Sequence, residues 1–418
     1  MRRFHPGFRP PVVFVLIIAL IGLPTGCGQR KIEMGTYRAV LALPGGELPF
    51  GLELKEESGA PVAYLINGPE RVRVTDVKLK GSLVEMTMPG FGNRLTARRS
   101  TQGLKGEVVL VKAEGKEQKI PLTAELGATY RFFTAPASDN ADVSGRWAVT
   151  FTDMDGKRTP AVAEFKQSYH EVTGTFLVNT GDHRYLAGEV RNDELYLSAF
   201  DGAHAFLYHA KVAEMGDLAG KFWSGLAWTE EWTARRDEKA ALADADAITA
   251  ISDATWSFGF TFPDETSKPV SLADGRFRGK VVLVMLAGSW CPNCHDETAF
   301  LAPFYKEHRG RGVEAVALMF EHFADFERAA EAVSEYRRKF EIEFPTLIAG
   351  ISDKDDAATK LPQLSGVFAF PTTLFIDKTG RVRRIHTGFS GPATGSHHQE
   401  LIASFTATVE ALLAENSD

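Results

Sequence analysis

Residues 281–295 read Val281-Val282-Leu283-Val284-Met285-Leu286-Ala287-Gly288-Ser289-Trp290-Cys291-Pro292-Asn293-Cys294-His295. The first six form an unbroken apolar run, as expected of a central strand covered on both faces. Helical spacing follows over Pro292–Arg309, with proline in the first turn, where a missing N–H costs nothing. A cysteine pair therefore sits where a buried strand hands over to a helix. The unpaired N–H groups and dipole of a helix N-terminus favour negative charge, which holds a thiolate ready at Cys291. Only a thiolate attacks a disulfide. Cys294, one turn along, is placed to attack the resulting mixed disulfide and release the product.

Working outward, Val313–Phe320 reads as a strand and Phe323–Phe340 as an amphipathic helix. Thr372–Ile376 and Val382–His386 read as strands about a Lys378-Thr379-Gly380 turn, and His398–Glu415 as a closing helix. Strands alternating with helices predict an α/β domain. From Gly35 to about Arg236 the pattern differs. Short period-two runs such as Val72–Val77, Leu83–Met88, Val108–Lys112, Val172–Val178 and Glu194–Phe200 are punctuated by turn residues, which predicts antiparallel β structure.

This β region reads as two copies of one unit. Gly35-Thr36-Tyr37 matches Gly145-Arg146-Trp147 at an offset of 110, Leu83–Gly90 matches Leu195–Gly202 at 112, and Leu104-Lys105-Gly106 matches Leu218-Ala219-Gly220 at 114. Each copy must close its edges, so a small barrel or sandwich is expected for each. The aromatics Trp147, Phe222, Trp223, Trp228 and Trp232 are expected in their cores.

The N-terminus carries Arg2, Arg3 and Arg9 ahead of twelve uncharged residues, Val12–Leu23, a signal-peptide layout too short for a permanent span. Leu23-Pro24-Thr25-Gly26-Cys27 resembles the lipobox of bacterial lipoproteins, which implies lipidation at Cys27. It departs from that pattern in having Pro24 where leucine is usual. The expected organisation is a signal peptide over 1–26, β domains over 27–134 and 144–236, a solvated or flexible connector over 237–252, and the α/β domain over 253–418.

Composition excludes other classes. Of 418 residues, 44% are hydrophobic and 24% charged, ordinary for a globular chain and unlike a disordered or collagenous one. A net charge of -7 leaves no basic footprint for nucleic acid. Three cysteines cannot build a disulfide scaffold.

Over Asp253–Glu415 the sequence resembles the thioredoxin superfamily, specifically the membrane-anchored TlpA/ResA type of periplasmic thiol-disulfide oxidoreductases. The resemblance rests on the Gly288–Cys294 stretch, on Glu297, and on Phe370-Pro371-Thr372-Thr373-Leu374-Phe375-Ile376-Asp377 followed by Gly380. It implies a thioredoxin-like fold, catalysis by Cys291 and Cys294 with Glu297 assisting proton transfer at Cys294, and a cis Pro371 beside the sulfurs. Trp290, Phe370 and Pro371 are then the expected substrate contacts. No cofactor is implied beyond a redox-active Cys291–Cys294 disulfide. The implied partners are protein thiols or disulfides, a membrane redox donor or acceptor, and the membrane itself through a lipid anchor.

The direction expected is reduction. Against it stands the order Cys-Pro-Asn-Cys, since many reductant members carry proline just before the second cysteine, and the order here is that of strongly oxidising periplasmic enzymes. Cys291–His295 also spells the attachment pattern of c-type haem. The haem reading has no use for a Phe370-Pro371-Thr372 signature. A second functional class stays open, a lipoprotein whose β repeats bind a ligand or envelope partner while the α/β domain senses redox state.

Overall fold

The computed structural model describes residues 1, 2, 7, 31–88, 90–252 and 258–415. The expected signal segment and Cys27 lie outside the described residues, Met1, Arg2 and Gly7 apart. No helix among the described residues is long and apolar enough to cross a membrane.

The first β unit is a nine-stranded antiparallel sheet running from Gly35–Leu43 to Glu117–Leu126. Its first strand pairs with its last, Tyr37 opposite Leu126 and Leu41 opposite Leu122. The two edges are Glu70–Val74 and Asp76–Lys80, joined through Thr75. Val72–Val77, read above as one strand, is therefore two. The pairing partner changes at Thr75, and the inward-facing residues step from Val74 to Val77, so the alternation slips by one residue at the junction.

The second unit is also nine-stranded, from Gly145–Thr152 to Trp228–Arg236, with the two-residue strand Gly181–Asp182 as a side branch. Arg158–Ser168 pairs with both Gly145–Thr152 and Glu171–Val178, which closes the ring into a barrel. Trp147, Phe151, Phe176, Tyr208, Phe222 and Trp232 fill it. The repeat extends to matching hydrogen bonds. Tyr37 Oη donates to the Glu33 carbonyl at 2.6 Å, and 110 positions on Trp147 Nε1 donates to the Val143 carbonyl at 3.0 Å.

Two aromatics expected in the cores lie elsewhere. Trp228 is exposed, and Trp223 packs against the first barrel. The barrels share apolar and polar contacts. Phe200 and Leu207 of the second join the core of the first. Asn67 Nδ2 donates to the Phe200 carbonyl at 3.0 Å and Asn93 Nδ2 to that of Gly202 at 2.8 Å.

The α/β domain holds a five-stranded sheet in the order Thr346–Ile351, Val313–Glu321, Val281–Ala287, Thr372–Ile376, Val382–Thr387. The first three strands are parallel and the last two antiparallel to their neighbours. All seven residues of the central strand are buried, because helices cover both faces of the sheet. This is the thioredoxin-like arrangement. The Phe323–Phe340 helix begins later than its apolar pattern, at Phe326, because the Asp325 carboxylate accepts the Arg328 N–H and caps it.

Residues 237–252 are not a free connector. Ala240 packs with Val162 and Leu177, Asp246 accepts from Arg384 Nε at 2.8 Å and His386 Nδ1 at 2.7 Å, and Thr249 bonds Thr387. Arg146 Nε also donates to the Ala240 carbonyl at 2.8 Å, so the segment is held by the second barrel at one end and by the α/β domain at the other.

Candidate active site

The central strand ends at Gly288, where any Cβ would collide with the Trp290 indole. That space lets Trp290 fold back, donate from Nε1 to the Phe320 carbonyl at 2.7 Å, and stack on His322 at 4.7 Å. Cys291 then caps helix Pro292–His308 with extended backbone, its sulfur accepting the Cys294 N–H at 3.3 Å. Sulfur thus replaces the usual oxygen at a helix N-cap, and the N–H aimed at it stabilises negative charge there.

The two cysteines are free thiols with different surroundings. Cys291 keeps 5% exposure, and its Sγ donates to the Phe370 carbonyl at 3.4 Å. Cys294 has none. Burial, with the Cys291 sulfur and the Glu297 carboxyl nearby, pushes the Cys294 thiol well up. Tyr336 Oη donates to the Cys294 carbonyl at 2.9 Å and fixes this turn of the helix.

Glu297 lies one turn beyond Cys294 on the same helix face. Burial pushes its carboxyl up to about 8. Thr373 Oγ1 donates to Oε1, and Oε2 has no hydrogen-bond partner among the described residues. A carboxyl in that range can give or take a proton near neutral pH. The bond preceding Pro371 is cis, as the resemblance implies. Phe370 turns its ring inward against Phe320 at 5.3 Å, so it meets the Cys291 sulfur with its backbone. Phe368, 46% exposed, is the aromatic side chain left outward on this loop.

The Redoxin family matches residues 246–399. Thiol-disulfide oxidoreductase ResA of Geobacillus thermodenitrificans (strain NG80-2) is 30% identical over 154 residues, 37% of this chain and 80% of the relative. The chain belongs to the ResA family of thiol-disulfide oxidoreductases. ResA of Bacillus thuringiensis subsp. konkukian (strain 97-27) is 29% identical over 123 residues, so the chain spans 62% of that relative's length and the match takes in 29% of this chain. A thioredoxin-family thiol:disulfide interchange protein from Chlorobium tepidum TLS is 22% identical, with a TM-score of 0.30 over 40% of this chain and 100% of that one.

Beside this ResA-type core stand residues that sequence reasoning missed. Glu321, the last residue of its strand, accepts from Ser289 N at 2.9 Å and Ser289 Oγ at 2.6 Å, and burial raises its carboxyl to about 7. His295, the would-be haem ligand, is engaged at both nitrogens. Nε2 donates to the Ser289 carbonyl at 2.6 Å, which leaves Nδ1 to accept from Lys339 Nζ at 3.0 Å. Burial, then the Lys339 ammonium, holds His295 neutral. Phe91 of the first barrel stacks on its ring at 4.0 Å. A polar residue inside the motif was the available signal for Asn293 and His295; nothing local names their partners.

Proposed function

We propose that this chain is an extracytoplasmic thiol-disulfide oxidoreductase that reduces protein disulfides, tethered to the membrane by lipid at Cys27. The Cys291 thiolate attacks one sulfur of a substrate disulfide, forms a mixed disulfide, and releases the other sulfur as a thiolate. Cys294 gives its proton to the Glu297 carboxylate and attacks Cys291. The second substrate thiolate leaves, and Cys291–Cys294 ends as a disulfide. Two electrons have passed to the substrate, and a membrane redox donor restores the dithiol. Trp290 and the Phe370-Pro371 backbone flank the attacking sulfur as the substrate contacts.

The observation that carries this reading is the asymmetry of the pair. One sulfur receives a helix N–H at a partly open N-cap, and the other is sealed beside a carboxyl that titrates near neutrality. The test is trapping. Cys294→Ser should accumulate mixed disulfides through Cys291, and Cys291→Ser should accumulate almost none. Equal trapping by both variants would overturn the assignment of nucleophile and resolving thiol.

A further inference from the structure

The Cys-Pro-Asn-Cys-His stretch is buried throughout, and much of what covers it comes from the barrels. The second barrel brings the turn that follows strand Glu171–Val178 onto the motif. Asn293 Nδ2 donates to the Thr180 carbonyl at 3.3 Å, beside the Phe389 carbonyl at 3.5 Å. The approach is so close that a Cβ on Gly181 would overlap both the Asn293 amide and the Phe389 carbonyl. At the next residue, Asp182 Oδ2 accepts the Gly391 N–H at 2.7 Å. From the other side the Phe91 ring lies on His295.

A single buried cation joins these parts. Arg184 pairs with Asp296 of the active-site helix, with Glu70 of the first barrel at 3.1 Å, and with Asp201 of the second at 3.2 Å. Its side chain is 10% exposed. Three carboxylates from three parts of the chain thus converge on one guanidinium, and withdrawing it leaves buried like charges facing one another.

We propose that segment 179–184 of the second barrel, locked by Arg184, is a cap that decides which disulfides reach Cys291. It admits a slender, protruding segment and excludes a broad folded surface. The proposal rests on Cys291 being the exchanging sulfur, and it adds a determinant of substrate shape lying outside the α/β domain. In energetic terms the cap is a local docking equilibrium, so weakening it raises the accessible fraction without touching the sulfurs.

The experiment compares alkylation of Cys291 by iodoacetamide and by a long polyethylene-glycol maleimide in the full-length reduced chain, read by mass on the Cys291 peptide. Gly181→Val places a side chain where Asn293 sits, and Arg184→Met removes the lock, so each serves as a check on the other. Both variants are first compared with the unsubstituted chain by near-ultraviolet circular dichroism.

Expected is slow labelling of the unsubstituted chain by the bulky reagent and a rise of about tenfold or more in either variant, about 1.4 kcal/mol of docking lost, with the iodoacetamide rate little changed. The cap is refuted if bulky and small reagents label the unsubstituted chain at the same rate relative to a free cysteine. It is equally refuted if neither folded variant changes their ratio. Exchange of the unsubstituted chain with hydroxyethyl disulfide is followed in parallel. Failure there counts against the exchange reading, whereas the alkylation ratio reports on the cap alone.

Discussion

Glu297→Gln keeps the shape of a buried side chain and removes its ionisable proton. Burial lifts the Glu297 carboxyl from 4.5 to about 8. Between those values the folded chain holds a proton that the unfolded chain has released. The associated stability is therefore full below the unfolded value and is lost as pH rises toward the folded one. One proton corresponds to about 1.4 kcal/mol per pH unit, or about 5 kcal/mol across the whole window from 4.5 to about 8. Glutamine has no such slope. It carries a constant cost instead, because an amide group at the partnerless Oε2 position finds no acceptor, worth about 1–3 kcal/mol at every pH.

The two stability curves should therefore cross, with the variant weaker at about pH 5 and stronger at about pH 8. The assay is urea unfolding under reducing conditions, followed by pulsed hydrogen exchange of the peptide covering Pro292–His308, which isolates this domain from the barrels. Disulfide exchange by the variant should be slowed at about pH 8, where Glu297 is partly carboxylate and can take the Cys294 proton, and little changed at about pH 5, where the carboxyl already holds its own. Parallel curves that never cross would refute the burial argument for Glu297. An unchanged exchange rate at about pH 8 would refute its role at Cys294.

Phe91→Ala should remove the stack on His295 and lower stability by about 0.5–1.5 kcal/mol beyond the lost area, measured by thermal unfolding; no change would show that the first barrel does not brace the helix. Glu321→Leu leaves the Ser289 N–H and hydroxyl without their acceptor and should cost about 1–3 kcal/mol, with a shift in Trp290 fluorescence that reports the loosened turn. Cys27→Ala should yield a chain without lipid. A single acyl chain gives only marginal anchoring at about 0.8 kcal/mol per buried CH₂, so stable tethering predicts at least a second chain. The absence of any mass increment on the N-terminus of the unsubstituted protein would refute the tether.

What could be read from the sequence follows from how local each signal is. Thr372–Ile376 and Leu83–Met88 were legible to the residue, since apolar pattern and flanking turns delimit both. The pair at Cys291 and Cys294, and Glu297 after it, were legible because their chemistry depends on spacing within one helix. Strand Thr346–Ile351 and helix Lys354–Lys360 escaped notice. The strand is short and sits at a sheet edge, and the helix is a seven-residue element with a single buried residue, so neither shows a strong period. Trp228 was misplaced because aromatic character alone does not say which face of a strand it is on. The covering of the active site was illegible for a different reason. Asn293 meets Thr180, and Arg184 meets Glu70, Asp201 and Asp296, pairings more than a hundred residues apart in all but one case. No periodicity encodes such partners.

The way the first barrel closes has a mechanical consequence. Its two edge strands meet through the covalent chain at Thr75 and carry no ladder of hydrogen bonds between them, whereas the second barrel is laced all the way round. The first is a split ring and the second a hoop. Heat, denaturant or a pulling force should spring the split ring along that seam while the hoop still holds, so amides bordering 70–80 should exchange before any ladder of the second barrel does. Each freed edge then offers a row of unpaired backbone groups, and that slit is where another extended chain could add itself as a further strand.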